Sequence, residues 1–387
     1  MLLLCFRCIL FHYFKTSRQE ATMRTLFHNL VFASLAALSL ASPALEKSVA
    51  VRQADDLPRL VIYYQTTHDR SNNPISMLPL VTEQNIALTH LVVCSFHIQA
   101  DYIVHLNDFP PDDAHFSTVW EEARLMQEAG VKVIGMVGGA APGSFTTRTL
   151  DSPDAATFEH YYGQLRDIII QYNLQGMDLD VEQSMSQSGI RRLVERLHAD
   201  FDEDFEVTLA PVASALRNGA NLSGFNYRTL ETEAGDKIAF HNAQFYNGFG
   251  SMSSTATFDA IVANGFRADK VVIGQLTTPS NGFGFVPFDT LRRVINSLQA
   301  TYGQIGGVMG WEYFNSQPGD LARPWEWAQQ ITSILRPQAS VNLRITKEVA
   351  DRLSAAWDRS VAANGEDSAE FHASQSTKPD YHSWINA

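Results

Sequence analysis

Between Leu60 and Tyr313 the chain carries eight apolar segments rich in β-branched and aromatic residues, separated by stretches of helical pattern. They run Leu60–Gln65, Thr89–Ile98, Val131–Val137, Leu174–Glu182, Phe205–Pro211, Ile238–Asn247, Lys270–Leu276 and Ile305–Tyr313. Strands alternating with helices are the rhythm of an α/β protein with a parallel sheet. The helices between them have recognisable ends. Ser152-Pro153 supplies an N-cap and a first-turn proline, Asn173 closes that helix, and Gly130 and Gly265 stop two others. Eight alternations in about 280 residues make a (β/α)8 TIM barrel, whose active sites gather at the carboxyl ends of the strands. The expected architecture is a single catalytic barrel over residues 58–337 with a short C-terminal extension over 338–387.

The fourth segment ends in Gly176-Met177-Asp178-Leu179-Asp180-Val181-Glu182-Gln183. In a strand alternate side chains share a face, so Asp178, Asp180 and Glu182 project together while Leu179 and Val181 face away. Three like charges so close are costly. The crowding is tolerated when a carboxyl stays protonated, which is also what a general acid requires.

This run resembles the Asp-Gly-x-Asp-x-Asp-x-Glu signature of glycoside hydrolase family 18, the chitinases and related endo-β-N-acetylglucosaminidases, with Gln175 in place of the first Asp. Other strand ends extend the resemblance. Gly135-Met136-Val137-Gly138-Gly139 is similar to the family's Ser-x-Gly-Gly, with Met136 where Ser is usual, and Gln244-Phe245-Tyr246-Asn247 is similar to its Gln-x-Tyr-Asn. Gly310-Trp311-Glu312 places a Trp where the family has the floor of the reacting subsite. The resemblance implies catalysis by Glu182, Asp180, Asp178 and Tyr246. It implies substrate binding by Trp311, Gln244, Asn247, Tyr64, Gly138, Gly139 and Glu312.

The mechanism it implies uses no enzyme nucleophile, unlike the ordinary two-carboxylate glycosidase. Glu182 protonates the glycosidic oxygen while the substrate's own 2-acetamido carbonyl attacks the anomeric carbon, giving an oxazolinium ion that water then opens with retention. Asp180 orients the acetamide and offsets the developing positive charge, and Tyr246 positions its carbonyl oxygen. Asp178, deeper in the barrel, is expected to share a proton with Asp180, so the carboxyls titrate as a set.

Finer resemblance, in Ile62–Asp69, Gly138–Phe145 and Met309–Asn315, is to the secreted fungal endo-β-N-acetylglucosaminidases of the Endo T type, which cut the GlcNAc-β-1,4-GlcNAc core of asparagine-linked, usually high-mannose, glycans. Val181 agrees, since chitinases commonly carry Tyr or Trp there. The alternatives are a chitinase, which shares every catalytic residue, and a non-catalytic chitin-binding lectin, which would typically lose the Glu at position 182.

A net charge of −13 without a clustered basic stripe argues against a nucleic-acid partner. Met23-Arg24 and the apolar stretch Leu30–Ala41 read as a secretory signal peptide over 23–41, too short to span a membrane. Residues 1–22 then form a gene-model extension and 42–57 a short leader, and the mature chain is secreted and free of the membrane. Cys5 and Cys8 fall away, leaving Cys94 as a buried thiol with no disulfide framework. Asn221-Leu222-Ser223 is a glycosylation sequon in a loop. The histidines show no metal-ligand spacing, so no metal or cofactor is expected, and the protein is expected to act as a monomer on glycans or glycoproteins. Phe249 and Phe283 lie in strand-end loops, open equally to packing or sugar contact. Trp325 and Trp327 sit on the helix that closes the barrel. Val349, Leu353, Ala356 and Trp357 give the stretch Thr346 to Ala363 one apolar face, to dock or to pair.

Overall fold

Each of the eight apolar segments contains a parallel strand in the computed structural model, which describes residues 57–98, 103–336, 343–363 and 376–385. The strands are β1 (Arg59–Tyr64), β2 (His90–Ile98), β4 (Lys132–Gly139), β5 (Gly176–Val181), β6 (Glu206–Leu209), β7 (Phe240–Gln244), β8 (Val271–Leu276) and β9 (Gly307–Trp311). Their order is sequential, and β1 pairs in parallel with both β2 and β9, so the sheet closes on itself as a (β/α)8 barrel. A ninth strand, β3 (Val104–Leu106), runs antiparallel to the end of β2 and builds a hairpin that the strand rhythm does not reveal.

The helices are α1 (Pro79–Thr82), α2 (Ser117–Glu128), α3 (Ala155–Gln171), α4 (Gln187–Asp200), α5 (Ala213–Leu216), α6 (Tyr227–Ala234), α7 (Ala256–Ala263), α8 (Phe288–Tyr302), α9 (Glu326–Leu335) and α10 (Lys347–Ala363). Gly130 and Gly265 follow α2 and α7 at φ 85 and 93, and Asn173 follows α3 at φ 51, the left-handed exits that end helices. The start of α3 differs from expectation. Asp154, not Ser152, caps it by accepting from the Thr157 N–H, and Ser152-Pro153 lies in the preceding turn. Both residue types accept at an N-cap, and the position of the first helical turn decides between them.

Alternation along the strands divides the interior into two layers. Leu60, Ile62 and Tyr64, with Met177, Leu179 and Val181, face outward into the large core beneath the helices. Val61, Tyr63, Val92, Cys94, Ile134 and Met136 face inward and fill the barrel. Trp327 on α9 is buried against Gly310, where even a methyl group would lie 2.7 Å from the indole. That contact seats the last helix of the barrel, as expected of it.

The described residues fall in one compact unit, and the amphipathic stretch after the barrel docks within it. Helix α10 buries Val349, Leu353, Ala356 and Trp357. Ser360 accepts from the backbone N–H of Thr118 at 2.9 Å, at the start of α2. Tyr381 donates to the Glu122 carboxylate at 3.0 Å, which also accepts from Ser76 and from the Met77 N–H. Burial pushes Glu122 up to about 7. The segments assigned as gene-model extension, signal peptide and leader, with Cys5 and Cys8, lie outside the described residues apart from Leu57.

Candidate active site

The inward parity of β5 puts Asp178 and Asp180 inside the barrel and carries Glu182 just past the strand's carboxyl end. Asp178 is fully buried. Its carboxylate accepts from the Tyr63 hydroxyl of β1 at 2.6 Å, from the Asn242 amide of β7 at 3.2 Å and from the Thr208 hydroxyl of β6. Burial raises Asp178 from the ordinary carboxylate range, and these three donors, which favour the anion, pull it back. Asp178 is also a charge neighbour of Asp180, two residues along the same strand face. Of the two Asp178 oxygens, Oδ1 accepts from Thr208 and Asn242 and Oδ2 from Tyr63.

Asp180 is held differently. Burial first, then the neighbouring Glu182 and Asp178, push it well above the carboxylate range, and the Gln244 side chain donates to it at 3.3 Å. The same Gln244 nitrogen donates to Glu182 at 3.2 Å and to the Ala210 carbonyl at 3.1 Å. One amide with two hydrogens therefore faces three acceptors. A proton resting on Asp180 relieves that shortage.

A cavity of ≈ 320 Å³ opens over this pair. Of the expected site residues, Asp180, Glu182, Gln244, Tyr246, Asn247, Trp311, Gly138 and Gly139 all line it. The β4 glycines are there by necessity. Gly138 sits beside Asp180 in the ladder at φ +108, and a Cβ there would lie 2.2 Å from the Asp180 carbonyl oxygen. Gly139, at φ +88, leaves the space in front of the Asp180 carboxylate open. Burial and the three carboxylates raise the Tyr246 phenol well above its ordinary value, so it stays a neutral donor. Trp311 is partly buried and meets Tyr63 edge-on, ring centres 5.7 Å apart.

Two expected substrate contacts are placed elsewhere. Tyr64 faces the outer core, where its hydroxyl donates to the Ile75 carbonyl at 2.6 Å and its ring meets Tyr313. Its neighbour Tyr63 is the one that points inward. Glu312 is buried beside the cavity, and its carboxylate is taken up by the Thr66 N–H at 2.7 Å, the Thr66 hydroxyl at 3.0 Å and the Gln65 N–H at 3.2 Å. It fixes the loop after β1 instead of reaching the cavity. Met136, in the usual Ser position, is buried inside the barrel opposite Asp178, and Thr208 and Asn242 supply donors from the far side.

Gln65, Ser95, His97, Ala140 and Ala141, none of them among the expected site residues, complete the cavity wall. Asn107, beyond the β3 hairpin, holds several of them: its amide donates to the Gln65 carbonyl at 2.9 Å and accepts from the Ser95 N–H at 3.1 Å. The sequon Ser223 is buried, donating to the Val181 carbonyl at 2.6 Å, so this loop buttresses the strand end before Glu182. Phe249 packs on the outer core, whereas Phe283 is exposed. No group of metal-ligating side chains and no helix long and apolar enough to cross a membrane occurs among the described residues.

A closed (β/α)8 barrel with an Asp-x-Asp-x-Glu strand end defines a glycosidase, and residues 59–287 match the sequence profile of glycosyl hydrolases family 18. The chain belongs to that family. It is similar to a fungal endo-beta-N-acetylglucosaminidase of family 18 whose structure is solved, at 66% identity and TM-score 0.72, covering 73% of this chain and 100% of that one. The chitinase ChiC from Aspergillus fumigatus is 44% identical, with TM-score 0.64, over 71% of this chain and 98% of that one. Among curated relatives, Chitinase 2 of Rhizopus oligosporus is 29% identical over 50% of this chain, and Endochitinase 4 of Metarhizium anisopliae 25% over 52%. The matched region spans 36% of the first of these and 75% of the second.

Proposed function

We propose that this family 18 glycosidase is an endo-β-N-acetylglucosaminidase that cuts between the two core GlcNAc residues of asparagine-linked, high-mannose glycans. The observation carrying this reading is the 66% identity to a fungal endo-beta-N-acetylglucosaminidase over the whole of that chain, against 44% for the chitinase.

The site chemistry supports substrate-assisted retention. In this reading Asp178, among its three donors, is the anion, and Asp180, whose protonated form is favoured by burial and its carboxylate neighbours, holds the proton that Glu182 needs. The substrate's acetamide N–H brings a new donor to Asp180, which then favours its anion and leaves the proton on Glu182. Glu182 gives that proton to the glycosidic oxygen as the acetamide carbonyl, aligned by the Tyr246 hydroxyl, attacks the anomeric carbon. Asp180, now anionic, faces the positive oxazolinium in a buried setting where charge is poorly screened. Glu182 then takes a proton from water, which opens the ring and restores the starting state. Trp311 forms the floor under the reacting sugar, with Gln244, Asn247, Gly138 and Gly139 around it. The reading includes secretion on the 23–41 signal peptide, a catalytic unit over 58–337, action as a monomer and no cofactor.

A chitinase is the second reading, favoured by the curated relatives, whose names are chitinases and endochitinases. Mass spectrometry of a high-mannose glycoprotein, incubated beside a chitin oligosaccharide and beside the Glu182→Gln variant, decides. Protein left with a single GlcNAc, absent with the folded variant, is expected. An intact glycoprotein with a shortened oligosaccharide establishes the chitinase, and an active Glu182→Gln enzyme removes Glu182 from its role.

A further inference from the structure

Phe283 is the most exposed large apolar side chain among the described residues, at 77%, yet its backbone is firmly held. Its N–H donates to the Asn247 side-chain oxygen at 2.8 Å, and its carbonyl accepts the Asn247 N–H at 2.7 Å. Asn247 adopts φ 53 to make this double contact and lines the catalytic cavity beside Tyr246. Glycines flank the ring. A Cβ on Gly282 would sit 2.6 Å from the Asn247 oxygen, and Gly284 has φ +102. Two residues on, Phe285 packs on the barrel cluster that contains Tyr246, Leu276 and Trp311. The loop after β8 therefore packs one ring on the inner barrel cluster and shows another to solvent from the same rim.

The cavity, at ≈ 320 Å³, is at the small end of ligand sites, which span roughly 300–1,000 Å³, so an oligosaccharide longer than the reacting sugars must run out over the rim. The apolar C–H face of a pyranose matches the electron-rich face of an aromatic ring. We infer that Phe283 is a stacking platform for a sugar of the substrate chain lying outside the catalytic cavity, and so a determinant of preference for long over short substrates. This rests on the glycosidase reading above, and its natural substrate there is the high-mannose glycan itself.

The test compares Phe283→Ala and Phe283→Trp with the parent enzyme on three substrates. These are a chromogenic chitobioside, a high-mannose glycosyl-asparagine and the intact glycoprotein. Taking stacking to be as strong as an aromatic pair, Phe283→Ala raises KM for the glycosyl-asparagine roughly three- to tenfold. kcat and the chitobioside KM stay unchanged, and Phe283→Trp restores KM. An unchanged glycosyl-asparagine KM overturns the inference, as does a loss confined to the glycoprotein, which would assign the ring to polypeptide. If the parent enzyme ignores both glycan substrates and cuts only chitin oligosaccharides, the endo-glycosidase reading fails separately. The platform is then judged on chitohexaose against chitobioside, where a selective rise for the hexamer sustains it and equal KM values refute it.

Discussion

Replacing Tyr63 by Phe isolates the cost of supporting a buried carboxylate inside the barrel. The substitution keeps the ring that meets Trp311 and removes only the hydroxyl that donates to Asp178 at 2.6 Å. A hydrogen bond to a buried charged group is worth about 1.5–3 kcal/mol. Two donors, Thr208 and Asn242, remain. The expected loss is therefore in the lower half of that range, about 2 kcal/mol, or roughly thirtyfold in the folded-to-unfolded ratio. The sign of the pH dependence follows. Burial already raises Asp178, so its ionisation in the folded state is a cost that grows as pH rises through its folded pKa. Losing a donor to the anion raises that pKa further in the variant. The deficit is thus full above the folded pKa of the variant and shrinks on acidification, once Asp178 takes a proton in the variant. Urea denaturation of both proteins across this range measures it. A midpoint unchanged at pH 7, or a deficit that does not narrow with acid, refutes the assignment of Asp178 as an anion held by Tyr63.

Glu122, pushed up to about 7 by burial, contributes stability that is complete below its ordinary pKa near 4.5 and lost as pH rises through 7. Glu122→Gln should flatten that slope, worth roughly 3 kcal/mol, in urea midpoints taken between pH 4 and 8; an unaltered slope would show that another group sets it. Gly138→Ala forces a methyl group to within 2.2 Å of the Asp180 carbonyl oxygen at φ +108, so β4 must shift. A fall in kcat of about 100-fold or more is expected in a still-folded protein, in line with the sensitivity of catalysis to small displacements, and near-normal turnover would refute the tight fit. Trp357→Ala on α10 should cost about 3–5 kcal/mol in denaturation while leaving KM untouched. An unchanged midpoint would mean that α10 adds nothing to the barrel.

Period-two alternation made the carboxylate strand legible, because Asp178, Asp180 and Glu182 share parity whatever lies around them. The same rule could not choose between Tyr63 and Tyr64. A doublet carries no parity of its own, and a slip of one residue exchanges the barrel interior for the outer core. Glu312 stood next to Trp311 in sequence, yet the turn after β9 sends it to the backbone of Gln65 and Thr66. The β3 hairpin and the wall it builds were hidden because Asn107 acts through contacts with Gln65 and Ser95, distant along the chain. Met136 looked like a missing hydroxyl, and the donors to Asp178 come from β6 and β7, on the other side of β5 from Met136. Short-range periodicity is written in the sequence, whereas partnership between strands appears only once the sheet has closed.

The seam between β1 and β9 has a consequence for how the protein is made. β1 is among the first parts of the barrel to leave the ribosome, and its partner Gly307–Trp311 is the last strand to follow. Until then a nascent seven-stranded sheet has two bare edges, at β1 and β8, each able to recruit a strand from another chain. The matched family region ends at residue 287, before that partner is synthesised. A polypeptide stopped there would hold all three clustered carboxylates yet lack both the closing strand and the indole of Trp311, and aggregation would compete with folding for it.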